Sequence, residues 1–265
     1  MAKKRNRLTR KQMRALGTLV AALIAGVLGI GSNAMGNRAP DAAPNAGSQQ
    51  QTATAQNANG AATLASVPAY SGEPWIAIAA SDEYPNGKPT FTDSEVARAE
   101  RGAFERYSPL DALGRCGTAL ACVGKETMPT AKRKSISSVH PSGWRQRFYD
   151  FVEQEALYNR CHLIAHSLAA EDANDRNLIT GTRSLNVHGM LPFEEKTLAY
   201  IRETGNHVLY RATPIFDGDN LVASGVHLEA RSVEDGGKGI CFNVYCYNVQ
   251  PGVNIDYATG ESWEE

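Results

Sequence analysis

From His207 to Val249 the chain alternates apolar and polar residues with a period of two, in three stretches separated by turn-forming residues. Successive side chains of a strand point to opposite faces, so each stretch has one face to bury and must pair with its neighbours to do so. His207–Phe216 reads as one strand, Asp217-Gly218-Asp219-Asn220 as a turn and Leu221–Val233 as a second strand. Glu234–Gly239 is a Gly-rich turn and Ile240–Val249 a third strand. In the last, Ile240, Phe242 and Val244 share one face, while Asn243 and Tyr245 lie on the other. This meander commits the C-terminal third to an antiparallel sheet.

The upstream sequence adds strands and helices that do not alternate one for one. Trp75–Ala79 reads as an opening strand, Asp93 to about Phe104 as a short amphipathic helix and Arg115–Val123 as a strand. Ala131–Ser138 is a basic, polar loop holding Lys132, Arg133 and Lys134. Trp144–Val152 alternates as a strand would, and Leu157–Ile164 follows with Arg160 and His162. Asp172–Asn177 has the Asn and Asp density of a loop. Leu178–Asn186 and Pro192–Thr204 read as helices, the second with Pro192 in its first turn, Glu194 and Glu195 at its positive end and Gly205 as its stop. The class is α+β, a central antiparallel sheet with helices grouped between strands.

The N-terminal region is of another kind. Residues 1–14 carry seven Lys/Arg and no acid, and Ala15–Asn37 is uncharged, with Leu16–Ile30 almost wholly apolar or small. A basic head before such a run is a signal peptide or a membrane anchor, with the head on the cytoplasmic side. The run's length lies between the two types, and Ser32-Asn33-Ala34 offers a cleavage site. Residues 35–69, rich in Ala, Asn, Gln, Ser and Thr, lack periodic apolar positions and read as a disordered spacer. The expected organisation is therefore a head and anchor over 1–34, a spacer over 35–69 and a folded domain over 70–265. The domain lies outside the membrane, cell-attached or released by cleavage near Ala34.

Of 27 Lys/Arg and 28 Asp/Glu in the chain, residues 1–70 hold eight and one, which leaves the domain near −8. Such a domain does not coat nucleic acid by bulk electrostatics. It can still meet phosphate locally, through a few Arg side chains and a cation. The cysteines, Cys116, Cys122, Cys161, Cys241 and Cys246, contain no C-x-x-C pair, so a thiolate zinc site is not indicated. Export permits disulfides, an odd count leaves at least one thiol unpaired in a monomer, and the pairing is open.

Among the histidines, His162 and His166 are four apart, as in a zinc-binding helix, but Leu163 stands where the metallopeptidase pattern needs Glu. His207 and His227 fall within or at the ends of strands and read as structural, and His140 lies in a loop. His162 differs by its company, Arg160 two residues before it. Asn159-Arg160-Cys161-His162 resembles the Asp-Arg-Gly-His core of the DNA/RNA non-specific endonuclease family, whose ββα-metal site is also called a His-Me finger. The resemblance continues through Leu178-Ile179-Thr180-Gly181-Thr182-Arg183, Asn186 and Met190-Leu191-Pro192-Phe193-Glu194. It extends over Asn206–Arg211, Pro214-Ile215-Phe216, Gly239–Tyr245 and Asn254–Gly260. With the basic head and spacer, it points to the branch of DNA-entry or membrane-anchored surface nucleases. Two positions depart from the family core: Asn159 stands for Asp and Cys161 for Gly.

The resemblance implies a phosphodiester hydrolase acting on DNA, with RNA as a second substrate, and leaving 5′-phosphate ends. His162 would take the proton from the attacking water, for neutral imidazole is the usual base near pH 7. Asn186 matches the family's ligand to Mg²⁺, with Mn²⁺ as a substitute; a reluctantly dehydrated ion can manage with one neutral protein ligand. Glu194 matches the acid that orients metal-bound water, and Arg160 would contact phosphate oxygens through its fork. Asn177 and Arg183 join Arg160 as expected substrate-binding residues. A surface DNA-binding protein with an impaired site is the alternative reading, and DNA uptake, nucleotide scavenging and digestion of extracellular DNA are the expected roles.

Overall fold

The computed structural model describes residues 67–265; the basic head, the apolar run and almost all of the spacer lie outside the described residues. Its centre is a six-stranded antiparallel sheet. The strands are β1 (Trp75–Ala77), β2 (Phe104–Tyr107), β3 (Ala119–Val123), β6 (Val208–Ile215), β7 (Gly225–Ser232) and β8 (Cys241–Tyr247), in the order β1-β8-β7-β6-β3-β2. The meander forms its middle, in the register the alternation demands. Phe242 and Val244 face the main core, while Tyr245 packs on the other side with Ile215 and Tyr247.

Helix α3 (Leu191–Thr204) lies on the main-core face, burying Phe193 and Ile201 against Phe242 and Tyr210. It ends where expected: Gly205 adopts φ +77° and its N–H closes on the Ile201 carbonyl at 2.9 Å, a left-handed cap that suits glycine. The opposite face carries helix α1 (Asp93–Ala99), capped by Thr92 and Glu95 in a capping box. There Arg211 and Glu229, paired across β6 and β7 and both buried, meet at 2.6 Å. Glu229 also accepts from Thr90, and Arg211 reaches Glu95, so a satisfied ionic network fastens the α1 segment. His227 is a structural histidine here, bonded to Asn243. His207 is held between Glu234 and Glu126.

Three sequence expectations give way to tertiary pairing. Leu178–Asn186 is not helical: β5 (Leu178–Thr182) is a strand, buried throughout and antiparallel to β4 (Tyr158–His162). Its β-branched Ile179, Thr180 and Thr182 favour extended backbone, and a partner strand is present. The α1 helix stops at Ala99 because Phe104–Tyr107 is taken up as β2 on the edge of β3. Trp144–Val152 is irregular, joined only by a Phe148–Ala156 bridge. Val152, Trp144 and Tyr149 reach a small cluster with Leu157, Tyr158 and Val253, but Phe148 and Phe151 stay 71% and 47% exposed. The Gln146 amide substitutes for a strand, donating to the Tyr158 carbonyl at 2.6 Å and accepting from its N–H at 2.8 Å. All five cysteines are free thiols.

Candidate active site

The β4/β5 ribbon and the segment after it form one module on the main-core face. Cys161, Leu163, Ile179, Leu185 and Met190 bury into the sheet's core. The buried Asn248 amide locks β5 in place, accepting from the Thr182 N–H at 2.8 Å and donating to the Thr180 carbonyl at 3.1 Å. After β5 the chain makes a wide π-type turn, Leu185–Met190, before entering α3. Such turns are rare and recur at functional sites. Asn186 rides on this turn and Glu194 on the first turn of α3, so both face the end of β4.

There a pocket of about 560 Å³ is lined by Arg160, His162, Arg183, Asn186 and Glu194, together with Arg133, Trp144, Asn159 and His166. Five of the six expected site residues thus converge. The sixth, Asn177, does not, and its assignment as a substrate-binding residue is corrected. It is fully buried, and its amide is spent on the backbone of Ile164, accepting from the N–H at 2.9 Å and donating to the carbonyl at 3.0 Å. Asn177 is a clasp that fixes the chain leaving His162.

His162 is 8% exposed. Its Nε2 lies 3.0 Å from the Glu171 carbonyl and 3.1 Å from that of Asp172. Two acceptors can be satisfied only by a donor, so the Nε2 carries the proton and Nδ1 holds the lone pair. Nδ1 lies 3.3 Å from the Arg133 Nη2. Burial pushes the imidazole's pKa down to about 4, assisted by the Arg133 charge and opposed by the two carbonyls. His162 is therefore a neutral imidazole of defined tautomer.

Arg160 is fixed by loop carbonyls: Nε donates to Val139, Nη2 to Ser137 at 2.9 Å, and the guanidinium lies 4.2 Å from the centroid of the Trp144 ring. These contacts hold Arg160 without a charged partner at position 159. Asn159 leaves its Nδ2 buried and without an acceptor, and Arg183 Nε, 3.5 Å from a Glu153 carboxylate oxygen, makes no hydrogen bond either. Cys161 is an ordinary extended residue paired with Ile179, so its Cβ meets no backbone strain. Burial, with a contribution from Glu195, pushes the Glu194 carboxyl up to about 8. Three arginines facing one glutamate make this the basic spot on an acidic domain.

Arg133, Trp144 and His166 are among the pocket residues that the sequence did not assign to the site. The run Lys132-Arg133-Lys134 was the only signal for the first, and nothing in it specified a partner 29 residues on. Among the described residues no group of three or more His, Cys, Asp or Glu is placed to cage a metal ion.

A base nitrogen, a neutral amide, a carboxyl and a rim of guanidinium groups are what hydrolysis of a phosphodiester asks of a protein. Residues 95–234, more than half of the chain, match the model of the DNA/RNA non-specific endonuclease family, and the chain belongs to that family. It is similar to NucA from Streptococcus agalactiae, solved with magnesium ion bound, at 27% identity over 62% of this chain and 79% of that one, with a TM-score of 0.55. It is also similar to Sda1 nuclease, solved with bound zinc ion, at 30% identity over 61% and 81%, with a TM-score of 0.54.

Proposed function

We propose that the chain is a divalent-metal-dependent, non-specific endonuclease, with DNA as its main substrate and RNA as a second, acting outside the cell membrane. The observation that carries this reading is the tautomer of His162: two carbonyls hold the proton on Nε2 and leave Nδ1 as a base in a pocket shared with Asn186 and Glu194. Nδ1 takes a proton from the attacking water, and burial keeps the imidazole neutral at the pH of reaction. Arg133 lies on the same nitrogen and would turn from it to an arriving phosphate. Arg160, already oriented by Ser137 and Val139, and Arg183 neutralise phosphoryl oxygens. Asn159 Nδ2 and Arg183 Nε, buried and without hydrogen-bond acceptors, are donors at the pocket that an anionic ligand would satisfy.

The residues present fit a hydrated Mg²⁺, with Mn²⁺ as a substitute. Asn186 offers a half-buried amide oxygen, and Glu194 a carboxyl that burial, with Glu195, raises to about 8. Asn186 would hold the ion and Glu194 would orient its water shell. When bound, the ion supplies charge to stabilise the phosphoryl oxygens and the leaving oxygen. NucA with magnesium and Sda1 with zinc support a divalent ion in this fold.

The test is plasmid cleavage by the purified chain with Mg²⁺ or with EDTA, beside His162→Ala. Cleavage that needs the cation and falls at least about a hundredfold in the variant is expected. No cleavage with any divalent ion would favour the second reading, a surface DNA-binding protein, whose only support is Asn159 and Cys161 at the family core. The basic head and apolar run support a surface-attached enzyme that acts in DNA uptake or extracellular DNA degradation. Fractionation with an antibody to the domain separates attached from released enzyme. Among the described residues no helix is long and apolar enough to cross a membrane.

A further inference from the structure

The pocket holds a second imidazole that the mechanism above does not use. His166 opens the short helix α2 (His166–Ala169), four residues after His162, and lines the same pocket. The two rings lie 6.5 Å apart between centroids, inclined at 67°. His166 Nε2 is 3.2 Å from Asp172 Oδ1, and both side chains are largely buried. The Asp172 carboxylate is itself fixed, accepting the Lys134 N–H at 3.0 Å. Residue 172 therefore touches both histidines, one through its backbone and one through its side chain. Its backbone carbonyl accepts the proton on His162 Nε2, whereas its carboxylate pairs with His166 Nε2.

One neutral and one carboxylate-paired imidazole in one pocket is the arrangement that separates a base from an acid. We propose that His166 is the general acid of the cleavage reaction, which rests on the reading of His162 as its base. Water adds its oxygen to phosphorus and gives its proton to His162 Nδ1. The bond from phosphorus to the leaving oxygen breaks, and that oxygen takes a proton from His166 Nδ1, the nitrogen not engaged by Asp172. The products are a phosphate monoester and a hydroxyl. Solvent then removes the proton from His162 and returns one to His166. Asp172 is a positioning residue that acts through His166.

A leaving-group comparison tests this. The wild type, His166→Gln, Asp172→Asn and His162→Ala are assayed in Mg²⁺ on plasmid DNA and on thymidine 5′-(p-nitrophenyl phosphate). The p-nitrophenolate leaves without a proton; a sugar alkoxide does not. Loss of the acid lowers kcat on DNA by about a hundredfold for His166→Gln. Both His166→Gln and Asp172→Asn retain most of their activity on the aryl ester, and His162→Ala loses both activities. Equal losses on the two substrates in folded His166→Gln and Asp172→Asn proteins overturn the proposal, as does undiminished DNA cleavage by His166→Gln. If His166→Gln fails to fold, Asp172→Asn, which keeps the backbone carbonyl on His162, decides by the same pattern. A wild type that cleaves neither substrate, or a His162→Ala variant that cleaves both, removes the parent reading instead.

Discussion

Replacing Asn177 with Leu distinguishes a clasp from a substrate ligand. The Asn177 amide satisfies both the N–H and the carbonyl of Ile164, at 2.9 and 3.0 Å, at a site with no solvent access. Leucine has the same branching, is somewhat larger and carries no polar atom, so the variant orphans two buried backbone groups. Each such group costs about 1–3 kcal/mol, which predicts a loss of about 2–6 kcal/mol. In a domain of this size about 1 kcal/mol moves Tm by roughly 2–4 °C, so a fall of about 4–24 °C is expected. Because Ile164 is two residues beyond His162, the same variant loses the aim of the base: kcat falls while KM stays within about threefold. Thermal melts and urea titrations measure the first effect, and initial rates on DNA well below the melting point measure the second. A variant that keeps its stability to within about 0.5 kcal/mol and raises KM tenfold would show that Asn177 binds substrate and that the clasp is incidental.

Three further outcomes follow from the same geometry. Because the His162 pKa is depressed to about 4 in the fold against 6.5 in an open chain, the unfolded state binds more protons between those values. Stability is thus complete above pH 6.5 and falls by about 3 kcal/mol as pH drops to 4, and His162→Gln flattens that slope in melts across the window; an unchanged slope refutes the assignment. A Cβ on Gly181 would run into Cys161 Sγ and lie 3.0 Å from its Cβ, so Gly181→Ala loses about 1–3 kcal/mol and adding Cys161→Gly recovers most of it; additive losses in the double-mutant cycle would deny the contact. Thiol titration gives five groups per denatured chain and, in the native protein, reaction chiefly at the partly exposed Cys241, since burial raises Cys116 and Cys122 to about 12; fewer than five thiols in unreduced, denatured protein would mean a disulfide.

The reach of local pattern explains which features were legible in the sequence. The meander could be read residue by residue, because a period of two with turns between depends only on near neighbours and is realised in β6, β7 and β8. The α3 helix could be read from Pro192 and Gly205 for the same reason. His162, Asn186 and Glu194 were found by spacing against a family pattern, and the structure brings them to one pocket. Folding alone decided the rest. Leu178–Thr182 became a strand because β4 offered a partner, a choice that its own residues left open. Trp144–Val152 lost its apparent strand because no strand pairs with it beyond the Phe148–Ala156 bridge. Asn177 moved from ligand to clasp because burial, which sequence does not express, closed it off from any substrate. The tautomer of His162 rests on two carbonyls, nine and ten residues away, whose direction is set only once the loop from Leu163 to Asn177 has closed. Residue identity supplied the side chains of this site; long-range closure of the chain set the proton on His162 Nε2 and left the lone pair on Nδ1.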